Sequence, residues 1–167
     1  FFSLFPTLDF FILFLYIVAV LLHLLFIKKT RLFLNFISLY TSFALIIILP
    51  LFIPQVATWL SVHYYTRAVA FVGLYLVLTI IFRFSNLGEF SSRVSPSQFI
   101  TSLVYRMAIV GLIFTTVMYF LPETFKQQFG IFTQTVFISF GALVVWFILP
   151  ILFAFAFRFK TRRGWVE

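Results

Sequence analysis

Five stretches of this chain are each about as long as a lipid bilayer is thick, and that decides the solvent before any motif is sought. They cover residues 8–27, 32–53, 68–84, 99–121 and 131–157. A helix rising 1.5 Å per residue needs about 20 apolar residues to cross a hydrocarbon core roughly 30 Å thick. Buried strands are far shorter, so the lengths select helices. The alternating pattern of an outer-membrane barrel is not present in the sequence. Composition agrees: 63% of the 167 residues are hydrophobic and 10% are charged, where soluble domains carry about 25% charge. A soluble fold of this size could not cover so much apolar surface. The expectation is an all-α, polytopic integral membrane protein, a bundle of five transmembrane helices forming a single domain over 1–167.

The first span is too long for a signal-peptide core and has no basic stretch before it, so it reads as retained. Pro50 and Pro54 end the second span and Pro122 closes the fourth. The fifth is too long to stand upright, and Pro150 is its expected kink. Between spans two and three, Val56, Trp59, Leu60, His63 and Tyr64 recur near helical spacing. That segment is expected to lie along the membrane interface.

Charge orients the bundle. With the spans alternating in direction, one side holds Lys28, Lys29, Arg31, Arg83, Arg93, Arg106, Arg158, Lys160, Arg162 and Arg163, and the other only Arg67 and Lys126. Short loops rich in Lys and Arg stay on the cytoplasmic side. The N-terminus is therefore expected outside and the C-terminus inside. Arg83, Arg106, Arg158, Lys160, Arg162 and Arg163 are candidates for contact with anionic lipid or a partner. Arg106 is the unusual one, inside the run "SLVYRMAIVGLIF". Its Cα lies about 10 Å from the start of the span, close enough for the stem to snorkel to the headgroups. The competing reading is a specific contact, with Glu89 or a neighbouring chain as the anion.

Few side chains offer chemistry. Cysteine is absent, which removes disulfides, thiolate metal sites and thiol nucleophiles. His23, the one histidine inside a span, reads as a helix–helix hydrogen bond or an interfacial residue rather than a haem or chlorophyll ligand. Ser61 and His63 do not share a helix face, and no acid adjoins them. No ionisable group sits mid-span, where proton or ion transport usually needs one. Protease and P-loop motifs are missing from the sequence. No enzyme, cofactor or metal site is expected, and the net charge of +8 is ascribed to orientation and anionic lipid rather than to nucleic acid.

Small and polar residues recur at helical spacing: Asn35, Ser38 and Ser42 in span two, Ala108, Gly111 and Thr115 in span four, Thr135, Ser139 and Ala142 in span five. Such stripes let helices approach closely and hydrogen-bond across the contact. Leu112, beside Gly111, reads as lipid-facing.

The first two spans, "LDFFILFLYIVAVLLHLLFIKKTRLFLNFISLY", with Asp9 before the first, a basic turn at 28–31, and the later "SPSQFITSLVYRMAIVGLI", resemble the colicin V production protein (CvpA-like) family. The resemblance covers about residues 8–121 and implies a small inner-membrane protein linked to secretion or the envelope, with no catalytic residues to carry over. The family's glycines around the basic turn are absent here, and a fifth span exceeds its usual four. From all this, the expected role is a non-enzymatic subunit or scaffold of a larger membrane complex, with a small oligomeric transporter or channel component as the alternative. The expected partners are membrane lipids and other membrane subunits, in a bacterial inner membrane or, alternatively, an organellar one.

Overall fold

A computed structural model describes residues 7–63, 65–96, 98–155, 157–161 and 164–165. Helices build the body of the molecule: α1 (Thr7–Phe26), α2 (Leu32–Phe52), α3 (Pro54–Ser61), α4 (Thr66–Arg83), α5 (Asn86–Arg93), α6 (Phe99–Phe120), α7 (Glu123–Lys126), α8 (Ile131–Thr133) and α9 (Phe140–Ala154). Four of them, α1, α2, α4 and α6, are long and apolar enough to cross a membrane. A fifth crossing is made if α8, its π-helical continuation Gln134–Ile138 and α9 are taken together, for the pair bends by 49°.

That bend corrects the expectation for Pro150, which sits inside α9. The chain breaks at Ser139 instead. Its backbone leaves the helical region (φ −61°, ψ 149°), and its hydroxyl accepts from the Ala142 N–H at 3.0 Å, capping α9. The break frees the Val136 carbonyl, which the Trp146 indole N–H takes up at 2.7 Å. Near Pro150, the Tyr40 hydroxyl donates to the Phe147 carbonyl. An apolar environment offers no water to such groups, so neighbouring side chains satisfy them.

α6 is the hub, packed against α1, α4 and α9, while α2 pairs mainly with α4. Two apolar clusters result. Leu39, Ile46, Phe71, Ile109 and Leu112 fill the contact of α2, α4 and α6. Ile12, Tyr16, Val110, Met118 and Phe137 fill that of α1, α6 and the π-turn. Leu112 is buried in the first cluster and not lipid-facing. Large apolar side chains such as Phe14, Leu25, Leu51 and Phe155 point outward, which suits lipid.

At one end the basic segments meet. The 3₁₀ turn Lys29–Arg31 and α5 are tied by Ser91, whose hydroxyl donates to the Thr30 carbonyl at 2.8 Å and accepts from the Leu34 N–H at 3.2 Å. Ser91 thereby caps α2 from another element. A short ribbon, not anticipated from the sequence, adds to this end: β1 (Val94–Pro96), β2 (Phe157–Thr161) and β3 (Gly164–Trp165) are antiparallel in that order, with Val94 opposite Phe159.

Candidate functional site

The most polar buried place in the molecule lies where α1, α2 and α6 meet, one turn inside the basic end. Each helix contributes from its terminal turns: His23 from the last of α1, Asn35 from the first of α2, Ser102 and Arg106 from the first two of α6. All four are at least nine-tenths buried. Arg106 Nη1 donates to the His23 carbonyl at 2.6 Å and lies 3.4 Å from His23 Nδ1, and Nε reaches Ser102 Oγ at 3.4 Å. Asn35 Nδ2 lies 3.3 Å from His23 Nε2. A guanidinium only donates, so Nδ1 accepts and Nε2 carries the hydrogen. A half-turn of the Asn35 amide then meets that hydrogen with Oδ1. Both ring nitrogens thus have a polar neighbour within 3.4 Å.

Arg106 is thus the main correction to the sequence reading. It does not snorkel; at 2% exposure it crosses to α1. The reason is its position on the most buried of the long helices, where groups of α1 lie within reach of the side chain. Nor is Glu89 its anion, since Glu89 pairs with Arg93 at 2.7 Å. Among the described residues no carboxylate forms a salt bridge with Arg106. The cation is held by neutral groups, and the His23 carbonyl it meets already accepts the helical bond from Ile27 at 3.2 Å.

The other singled-out residues divide. Ser38 and Ser42 are buried, but their hydroxyls bond back to the Leu34 and Ser38 carbonyls of their own helix. They supply a flush surface rather than a cross-helix bond. Ala108, Gly111 and Thr115 are buried on α6 and Ala142 on α9. Gly111 faces the Trp146 ring so closely that a Cβ would fall onto it. Ser139 and Thr135 are exposed instead. Arg83 is exposed at the end of α4. The backbone of Arg158 lies opposite Ser95 in the ribbon and that of Lys160 opposite Trp165. Arg162 and Arg163 lie outside the described residues.

Sequence reasoning did not bring out Ser102 or Ser91, and it singled out Asp9 only for the family resemblance; the Asp9 carboxylate accepts from the Gly130 N–H at 3.0 Å at the opposite end. The available signal was their residue type: polar side chains at the ends of apolar runs, where helix termini need partners. No family model matches this chain, and no curated protein or solved structure is significantly similar to it.

Proposed function

We propose that the chain is a non-enzymatic integral membrane protein that crosses the membrane five times, N-terminus outside and C-terminus inside, and serves as a subunit or scaffold of a larger membrane complex. The observation that supports the subunit reading is the flank of the broken span. Gln134, Thr135 and Ser139 are exposed there, between the highly exposed Ile131 and Phe140. The flank borders a cavity shared with Glu123, Lys126 and Gln127. Gln134 and Ser139 donate within the chain, to the Phe129 carbonyl at 2.8 Å and the Thr135 carbonyl at 3.0 Å. An exposed polar face of this kind is better matched by another protein's helix than by lipid. The envelope or secretion role implied by the CvpA-like resemblance is one case of this reading.

Crosslinking tests it, because the chain is free of cysteine. A photoreactive label on Thr135→Cys should capture a different membrane protein, and the same label on Val77→Cys of α4 should not. Native mass spectrometry of the full chain in mild detergent should show the same partner. A homo-oligomer as the sole species would overturn the subunit reading. It would favour a small transporter or channel component, a role to which a discontinuous span is suited. Orientation has its own test: an impermeant thiol reagent should reach Gln127→Cys from outside only.

A further inference from the structure

The basic end also carries a built pocket. Lys28, Arg31 and Arg83 converge on a cavity of about 340 Å³. Among the described residues none of the three is paired with a carboxylate. Gly88 shapes it, since a Cβ there would strike the Phe82 and Arg83 carbonyl oxygens and push α5 off the end of α4.

Beside the pocket lies a cleft of about 370 Å³ between α1 and α4, floored by α6. The two adjoin, lined by residues next to one another in the chain. Ile27 lines the cleft and Lys28 the pocket; Asn35 lines the cleft and Leu34 the pocket. On α4, Leu76, Thr79 and Arg83 follow one face at helical spacing. Along this path the wall changes from hydrocarbon around Ala19, through the buried polar groups of His23 and Asn35, to the three cations.

We infer that this path is a binding site for an anionic phospholipid, with the phosphate held by Lys28, Arg31 and Arg83 and one acyl chain laid in the cleft between α1 and α4. The wall offers cations at one end and hydrocarbon at the other, as the ligand does. Guanidinium forks suit phosphate oxygens, and basic pockets between helices are where anionic headgroups gain most over zwitterionic ones. The inference rests on the membrane-spanning reading and is independent of the subunit reading.

The test uses the full chain in mild detergent, with thermal unfolding and native mass spectrometry as readouts. Phosphatidylglycerol should stabilise the protein and remain bound. Phosphatidylcholine with the same chains should not, nor should soluble glycerol phosphate. The double variant Arg31→Gln/Arg83→Gln should bind phosphatidylglycerol about thirtyfold more weakly. Lys29→Gln/Arg67→Gln, with equal loss of charge outside the pocket, should bind it as the parent does. Ala19→Phe obstructs the cleft without touching a cation and should also weaken binding. Equal effects of the two lipids, equal loss in the two double variants, or full stabilisation by glycerol phosphate alone would each overturn the site. Unchanged binding in a folded Ala19→Phe protein would remove the acyl chain from the cleft. A chain recovered without detergent would instead sink the membrane reading itself, a separate failure from an inserted chain indifferent to headgroup charge.

Discussion

α4 and α6 have the same mean hydropathy over their most apolar windows, yet 56% of that window is buried in α6 and 11% in α4. In water the more apolar helix goes inside. In lipid that ranking carries no force, because hydrocarbon solvates leucine as well as a protein core does. What differs is which residues each helix turns toward its neighbours. α6 presents Ser102, Ala108, Gly111 and Thr115 to its neighbours, all buried. α4 presents Val69, Val77, Ile80 and Ile81, all exposed. Small residues let backbones approach only where they face another helix, as Gly111 faces Trp146 and Gly73 faces nothing within 4 Å, and α6 turns its small residues inward. The hub can also hold an arginine, since α1 supplies the His23 carbonyl and imidazole and α6 its own Ser102 hydroxyl, groups that lipid hydrocarbon lacks.

The sharpest way to break this comparison is Gly111→Leu. The side chain would displace Trp146 and with it the indole bond to Val136. We expect a loss of about 3 kcal/mol or more, at the upper end of overpacking, seen as a large drop in the unfolding midpoint in detergent. A midpoint close to that of the parent would mean that α6 and α9 are not in tight contact.

Arg106 comes next. The reference for its contribution is a helix in lipid, where the guanidinium has few partners, so the buried bonds favour the assembled state by about 1–2 kcal/mol. Arg106→Leu should lose at least that much, since the His23 carbonyl keeps its helical bond but buried His23 Nδ1 and Ser102 Oγ lose their partner. Arg106→Lys should lose at least as much, because an ammonium carries the charge inward but cannot reach the His23 carbonyl and Ser102 together. A silent lysine beside a damaging leucine, measured by thermal unfolding at matched expression, would restore the snorkelling reading.

Smaller effects belong to α4. A Cβ at Gly73 meets nothing within 4 Å, so Gly73→Ala should stabilise by up to about 1 kcal/mol through the less flexible unfolded chain. The same residue type on the two helices thus gives opposite signs. Ile80→Ala should lie within about 0.5 kcal/mol of the parent, as a side chain already in lipid gains little from folding. A loss there as large as at Gly111 would mean that α4 is packed against a partner after all.

Much of the fold was legible in advance, and the limits have physical causes. Span positions could be read because transfer into lipid is nearly additive along a run of residues. The break of the fifth span was misplaced because two groups competed to cause it. Pro150 deprives the Trp146 carbonyl of its helical donor, yet α9 runs on through it, with the Tyr40 hydroxyl donating to the neighbouring Phe147 carbonyl. Ser139 turns the chain because its hydroxyl can restart the helix. Leu112 was misjudged because an apolar face toward lipid and an apolar face toward protein look alike in sequence.

By itself the sequence determined where the four long apolar helices lie and about how long each is, and that most of the cations occupy alternate connections. Those are sums over neighbouring residues, and every term is present in the chain. Only the tertiary structure decided that Arg106 meets the His23 carbonyl 83 residues away, and that Lys28, Arg31 and Arg83 border one pocket. A long cationic side chain has several satisfactory partners within reach of its stem, and their free energies differ by little. Which one it takes is set by how closely the small residues of α6 let the other helices approach.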